Sequence, residues 1–579
     1  MLPTLPHPGF SLSCLSLGRG ALWRLAALVL LSTAAAGCAS VPSNTGRTPS
    51  TAFTAPDSTA LGKLVAARRA QAGARSDSGF KLLDSVDMAF TSRLALIEGA
   101  QRTLDLQYYA VHADASTEIL LQRLREAARR GVRVRLLLDD FNTVGADAQV
   151  LQLDFEPNVE IRLFNPLPGS RRSLIGRVLG SLGDIGNMQK RMHNKLFLAD
   201  NALGITGGRN LGDAYFGTAE KSNFVDLDVL AYGRVVRDMS ASFDRYWNDE
   251  LAYPVQSLLS RDDLEKLRAS AEPPAGADPS KAAPPNTPMP EEPESLTTAV
   301  RDTILPNVTM TTAIAHERRP LDLQRVSLTW APSVLMVDKP DKVGPGDDEV
   351  DAGDTVVDGL LTLMERASSD VLVISPYFVP GEPMMKVFRA MRAKGVRIRV
   401  LTNSLASNDA PAAHAGYARY RKDLLAMGVE LYEMRADQPG SISGMGSASG
   451  GGSARGMGSG SGAGGSKSGS SRASLHSKAV IIDGRLAVIG SMNLDLRSQI
   501  QNSEVALVIR SQALAQEATR QVEETFARGA YRLEMRSGGL YWKAPAGVAF
   551  KDATSEPEAG AKLKIFVKVL GPLAPEEML

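Results

Sequence analysis

One constellation of five residues occurs twice in this chain. In the first half it is His193, Lys195, Asp200, Gly207 and Asn210; in the second it is His476, Lys478, Asp483, Gly490 and Asn493. In both, Asp follows His by seven residues, Gly follows Asp by seven, and Asn follows His by seventeen. Chance does not repeat five identities at one spacing. The chain must therefore fold as two copies of one unit, each delivering a His, a Lys and an Asn. His and Lys two positions apart project from one face of a strand. The Gly-x-x-Asn turn then brings an amide back beside them.

The flanking sequence repeats as well. Residues 104–109 read as a strand, 117–130 as a helix, 131–138 as a buried strand and 158–164 as a further strand. The second half gives 371–375, 384–394, 395–401 and 428–432 in the same order. Strands alternating with helices predict an α/β fold with a largely parallel or mixed sheet in each half.

Two such halves facing each other place two His, two Lys and two Asn around one point. Fixed positive charge and N–H donors suit the nonbridging oxygens of a phosphate diester. Histidine suits covalent and acid–base work near neutral pH. Each imidazole needs a partner for its other nitrogen, and the spacing nominates Glu504 for His476 and Asp228 for His193. Asp200 and Asp483 lie on the opposite parity from their histidines, which predicts a structural role. Ser491 offers the phosphate a hydroxyl where Gly208 offers none, so the two half-sites are expected to be unequal. Two lysines already neutralise a phosphate, and His-x-Lys is a poor metal-ligand spacing, so no metal and no cofactor are expected.

The motif resembles that of the phospholipase D superfamily, whose signature is His-x-Lys, four residues, then Asp. The resemblance runs from about Leu82 to Glu534. Stretches at 207–216, 226–230, 402–406, 414–417 and 490–498 look like bacterial cardiolipin synthases of the C type. It implies two tandem phospholipase D-like α/β/α domains forming a pseudo-dimer, with one active site at their interface. It further implies a phosphohistidine intermediate, with His193 as nucleophile and His476 as acid/base, and phospholipid substrates: phosphatidylglycerol, and phosphatidylethanolamine as a further candidate. With phosphatidylglycerol as acceptor the product is cardiolipin; with water it is phosphatidic acid. The competing readings are a nuclease or general phosphodiesterase of the same superfamily, and a non-enzymatic envelope lipoprotein.

The N-terminus reads as an export signal. Arg19 and Arg24 precede a short apolar run, and Ala35-Ala36-Gly37-Cys38 resembles a bacterial lipobox with Cys38 as the lipidated residue. Ala34-Ala35-Ala36 offers an ordinary signal-peptidase site instead. Ala39 after the cysteine resembles outer-membrane sorting. The expected location is the cell envelope, facing the periplasm and lipid-anchored. The only cysteines are Cys14 and Cys38, so the body holds no disulfide and no cysteine metal site. Lys+Arg number 65 against 64 Asp+Glu, which gives no support to a nucleic-acid partner.

The expected organisation is a signal peptide over 1–38, a tether over 39–80 and a first domain over 81–255. A connector over 256–330 follows, Pro-rich at 272–294. The second domain covers 331–535, with a Gly/Ser-rich loop at 439–472. The tail, 536–579, mixes Lys562, Lys564 and Lys568 with apolar residues and reads either as a membrane-surface element or as a packed terminal strand or helix. His414 reads as a channel-lining or a structural residue. His7, His112 and His316 carry no motif.

Overall fold

The computed structural model of the protein describes residues 41–44, 46–143, 145–168, 188–219, 222–259, 262–265, 268, 318–343, 355–437 and 472–570. The export segment with Cys38, the Pro-rich stretch and all but the last residue of the 439–472 loop lie outside them.

The first half builds β1 (Ser78–Leu83), β2 (Thr103–Tyr108), β3 (Arg133–Asp139), β4 (Val159–Phe164), β5 (Leu196–Ala199), β6 (Leu203–Gly207), β7 (Ser222–Val225), β8 (Asp228–Gly233) and β9 (Ala252–Pro254), joined by β10 (Thr329–Trp330). The second builds β11 (Ser333–Val337), β12 (Asp370–Ile374), β13 (Arg397–Asn403), β14 (Glu430–Met434), β15 (Arg472–Leu475), β16 (Ala479–Ile482), β17 (Leu486–Gly490), β18 (Val505–Arg510), β19 (Ala530–Arg536) and β20 (Gly539–Lys543). One nine-stranded sheet runs β10-β1-β8-β6-β5-β2-β3-β4-β9, and the other runs β11-β18-β17-β16-β12-β13-β14-β19-β20. In both, three central strands are parallel (β2-β3-β4 and β12-β13-β14), and the strand after the His-x-Lys motif runs antiparallel beside them. The sheets are therefore mixed, and the duplication in the sequence is a duplication of topology.

Central strands are apolar on both faces because both faces are covered. Leu136 and Leu138 of β3 enter an outer core with the helices Val86–Gly99 and Ala115–Arg129, while Leu137 points into an inner core. In β12, Val371 and Val373 face outward, and Leu372 and Ile374 enter the same inner core. That inner core contains residues of both sheets and of the helices Arg234–Trp247 and Gln512–Arg528. The halves thus share one apolar interior.

Equivalent turns have equivalent causes. After the helix Ala115–Arg129, Gly131 adopts a φ of +94°, its N–H bonding Ala128 and that of Val132 bonding Ala127. After the helix Gly381–Ala393, Gly395 adopts +81° with the same pair of bonds, to Arg392 and Met391. Nothing lies within 4 Å of a Cβ built at either position, so the angle, not the space, calls for glycine. Asp200 and Asp483 also have left-handed backbones. Asp200 accepts the N–H groups of Gln101, Arg102 and Thr103 at 2.9, 2.7 and 3.0 Å; Asp483 accepts those of Ser368, Ser369 and Asp370 at 3.0, 2.8 and 3.2 Å. Each carboxylate thereby ties the end of the motif strand to the start of the neighbouring central strand.

Three boundaries differ from the sequence reading. The 39–80 segment is strapped to the first half from Asn44 onward: Asn44 donates to Glu250 and Ala252, Arg47 to Asp249, and the N–H groups of Ser50 and Ala52 donate to Asn248 and Asp244. It then forms the helix Ala60–Gln71 and enters β1. Its polar composition reflects partners at the end of the helix Arg234–Trp247 rather than full solvation. The connector's last residues, Thr329–Trp330, complete the first sheet against β1. The tail is folded: β19 and β20 extend the second sheet, Trp542 donates to the buried Glu433 at 2.7 Å, and a helix spans Ala561–Leu570. The stems of the Gly/Ser-rich insertion are held together, Ala473 N–H bonding Ala436 at 2.8 Å.

Replacing Asp200 with Ala strands three backbone N–H groups and should lower the unfolding free energy by about 3 kcal/mol. Gly395→Ala, which asks only for a left-handed Ala, should cost about 1 kcal/mol. Denaturant titration of both variants checks the order and the ratio.

Candidate active site

His193 and His476 stand in extended lead-ins just before β5 and β16, not inside regular strands. Each is pinned to the opposite half. His193 N–H donates to Ser503 O at 2.9 Å, and Ser503 N–H returns a bond to Arg191 O at 3.0 Å. His476 N–H donates to Val225 O at 2.8 Å, as β15 pairs in parallel with β7. Ser503 and Val225 immediately precede acidic residues, Glu504 and Asp226. The crossing therefore carries each acid to the other half's imidazole. His193 Nδ1 lies 2.9 and 3.1 Å from the Glu504 carboxylate, and His476 Nδ1 lies 2.7 Å from Asp226.

This corrects the sequence pairing in two respects. Glu504 orients His193, not His476. The other acid is Asp226, not Asp228. Sheet register shows why: Gly207 pairs with Asp228, and its counterpart Gly490 pairs with Ala506. Asp228 thus holds the place of Ala506, two residues beyond the acid. Its carboxylate is buried against Arg93 at 2.9 Å and Arg209 at 3.4 Å, and it also accepts Arg209 N–H. Only that register, which sets Val229 in the place of Leu507, locates Asp226; counting forward from the asparagines does not, because β7 lengthens the first half.

Ser491 and Gly208 both lie against the acids. The Ser491 hydroxyl donates to Glu504 and accepts Val505 N–H at 3.0 Å, and Ser498 donates to the other Glu504 oxygen at 2.8 Å. Glu504 is fully coordinated. At Gly208, a Cβ would fall 2.2 Å from Asp226 Oδ1. The missing hydroxyl leaves the space the Asp226 carboxylate occupies, and Asp226 accepts from its neighbour Leu227 N–H at 2.8 Å instead.

With Nδ1 committed to the acids, Nε2 is the nitrogen left for chemistry on each ring. Burial, with Lys195 and Lys478 nearby, pushes His193 down to about 4 despite the pull of Glu504. His476 is lowered by burial and by Lys478. Burial raises a carboxylate, yet His193, Lys195 and Ser491 hold Glu504 at about 2. Asp226 is likewise held below the usual range, by His476 and Lys478 against its burial. The resting pairs are carboxylate with neutral imidazole. Burial drives Lys195 down to about 7, with Lys478 adding to the push, and lowers Lys478 in the same way. Each ammonium bonds its own histidine's carbonyl, at 2.8 and 2.7 Å, and neither forms an ion pair with a carboxylate among the described residues. Two buried lysines whose charged forms are disfavoured in this way call for an anion to hold them protonated.

Asn210 donates to Tyr215 at 2.9 Å, whereas Asn493 Oδ1 is buried with no hydrogen-bond partner among the described residues. Aromatic rings wall the site, and no motif marks them: Tyr109 packs edge-on against His193, Tyr215 edge-on against His476, and Phe224 tilted against the same ring. Tyr377 donates to Asp409 at 2.8 Å, and that exposed carboxylate acts electrostatically on His476 and Lys478. His414 lies elsewhere, buried beside Arg421 and 3.6 Å from Glu556, in a structural charge cluster.

Fold and paired half-sites together define a two-repeat phospholipase D-like protein. A family model described as "Cardiolipin synthase, PLD-like domain" matches residues 94–247 and 360–527, and the chain belongs to that family. It is 38% identical over 466 residues to cardiolipin synthase C of Escherichia coli K12, covering 80% of this chain and 88% of that one. It is 28% identical to an uncharacterized protein of Helicobacter pylori over 90% of this chain and 93% of that one. Among solved structures, phosphatidylserine synthase of Haemophilus influenzae Rd KW20 shares the fold with a TM-score of 0.51 at 13% identity, over 87% of this chain and 97% of that one.

Two predictions follow from the site's packing. Gly208→Ala should displace Asp226 from His476 and cut kcat by about tenfold or more, with KM nearly unchanged; Asp228→Asn should instead lower thermal stability. Steady-state kinetics and melting curves separate the two. The His193 shift also fixes a pH dependence. Its ordinary value is near 6.5 and its folded value about 4, so between these the unfolded chain holds the proton. Stability from this group is full above pH 6.5 and is lost as pH falls toward 4. Denaturant titrations at pH 7 and pH 5 should show this loss, and His193→Gln should reduce it.

Proposed function

We propose that the protein is a phosphatidyltransferase that makes cardiolipin from phosphatidylglycerol and a second phospholipid. The observation that carries this reading is the site itself: two imidazoles oriented by carboxylates across the domain interface, beside two buried lysines that form no ion pair with a carboxylate among the described residues. A diester phosphate supplies the anion these lysines lack. Water-excluding aromatic walls strengthen their grip on the charge that develops on its oxygens.

His193 Nε2 attacks phosphorus in the donor lipid, and the P–O bond to the headgroup alcohol breaks. His476, which takes up a proton from solvent at Nε2 once the lipid is bound, gives it to that departing oxygen. The bound anion offsets Lys195 and Lys478, which raises the proton affinity of His476 for this role. A glycerol hydroxyl of phosphatidylglycerol then enters, gives its proton to His476 and attacks the phosphohistidine. The N–P bond breaks, His193 is restored and cardiolipin leaves. Assignment of His193 as nucleophile is supported by its low proton affinity and by the complete coordination of Glu504, which fixes the ring. Phosphatidylethanolamine is a candidate donor, releasing ethanolamine. Lipidation of Cys38 would place this chemistry at the periplasmic face of the envelope, in the outer membrane.

Incubation with labelled phosphatidylglycerol, with and without phosphatidylethanolamine, followed by lipid analysis, tests the reading. Cardiolipin is the expected product. His193→Ala and His476→Ala should each reduce its formation by roughly a thousandfold or more. Phosphatidic acid as the sole product would make the protein a hydrolase.

A further inference from the structure

The chain's last described helix, Ala561–Leu570, has two apolar faces. Leu563 and Val567, one turn apart, pack inward against Leu405 and Ala415. Ile565 and Val569, also one turn apart, point away and are 62% and 60% exposed, with Phe566 at 45%. Three of the six large hydrophobic side chains exposed among the described residues therefore sit on this one ten-residue element. Lys562, Lys564 and Lys568 flank the exposed stripe, and the helix has no acidic residue. Beside it a cavity of 860 Å³ opens toward the helix Pro411–Ala426, bordered by Leu405, Ala415 and Ile565 and by the cationic Arg419, Lys422 and Lys564.

An apolar stripe in water between lysines is the pattern of a helix lying in a lipid–water interface, with side chains in the acyl boundary and ammoniums at headgroup phosphates. The mount is firm. Glu556, just upstream, forms an ion pair with the buried Arg421 at 2.6 Å, and Glu558 pairs with Arg435. The position fits as well: Ala415 lies one turn into a helix that starts two residues after Asp409, the carboxylate that acts electrostatically on His476 and Lys478. A second copy of the chain fits this surface poorly, because a two-fold contact sets lysine against lysine.

We propose that this helix face is a docking surface for an anionic phospholipid bilayer. Docking there seats the protein with the Asp409 side of its active site toward the lipid. The helix holds no residue of the transfer chemistry, so its role is separable from that chemistry.

The test uses the full-length chain carrying His193→Ala, so that no lipid turns over, and vesicles of phosphatidylcholine with or without phosphatidylglycerol. Phe566→Trp reports depth: vesicles with brominated acyl chains should quench the added indole when phosphatidylglycerol is present. Ile565→Asp with Val569→Asp should weaken vesicle partitioning by about tenfold or more, and Lys562, Lys564 and Lys568→Gln together should remove most of the preference for phosphatidylglycerol. All chains share the same N-terminal segment, so the differences read the helix alone. In the otherwise wild-type enzyme, the Asp pair should leave turnover of detergent-dispersed phosphatidylglycerol unchanged. Unaltered partitioning of the Asp pair, or an indole that is not quenched, would overturn the proposal. So would self-association in sedimentation that the Asp pair abolishes, which would identify a second copy as the occupant.

Discussion

The exchange of backbone hydrogen bonds across the domain interface governs this structure. Arg191 and His193 bond Ser503 on one side, and His476 bonds Val225 where β15 meets β7 on the other. Because the next residues in chain order are Glu504 and Asp226, two acids arrive buried beside two rings. A buried carboxylate without partners costs several kcal/mol. Here the opposite half supplies the partner, so docking and site assembly are one event. Ring orientation, the neutral resting state of the imidazoles and the convergence of the lysines all follow from that register.

The pseudo-symmetry stops at the outer ring of partners. Glu504 is held by His193, Ser491 and Ser498, with its own N–H on Asp338. Asp226 has no hydroxyl at the matching position, because Gly208 leaves room only for the carboxylate itself. One imidazole is therefore gripped by a saturated network and the other by a shorter, less constrained acid. Transfer through a covalent intermediate asks for this inequality: one ring must stay neutral and aimed, and the other must gain and lose a proton within a turnover.

Much of this was legible in the sequence, and the failures are specific. The five repeated identities gave the duplication, and the parity of Asp200 and Asp483 separated them from the catalytic face; each ends up tying backbone N–H groups of a neighbouring strand. The acids were harder. Parity and spacing describe one half at a time, whereas the pairing of His193 with Glu504 is a property of the interface, and single-half spacing holds no term for it. Spacing does not separate Asp226 from Asp228, because β7 makes the path from Asn210 longer than its counterpart in the second half, and only the sheet register identifies the matching acid. Ser491 looked like a phosphate donor because a hydroxyl's direction is not written in its position. Tyr109, Tyr215 and Phe224 wall the site from separate loops and strands, with no motif to mark them. Polar composition over 39–80 suggested solvation, yet Asn44, Arg47 and Ser50 spend their hydrogen bonds on residues about two hundred positions away.

The clamp between Ala436 and Ala473 sets how this family member can vary. Those stems stand one hydrogen bond apart, and Gly/Ser-rich sequence fills the interval between them. Once two ends are held together, closure entropy grows only with the logarithm of the contour, so doubling the insertion costs about 0.6 kcal/mol. Selection can lengthen, shorten or rewrite that interval almost without thermodynamic consequence, three residues upstream of a catalytic histidine. The chain thus keeps an open slot for new sequence beside its most constrained strand.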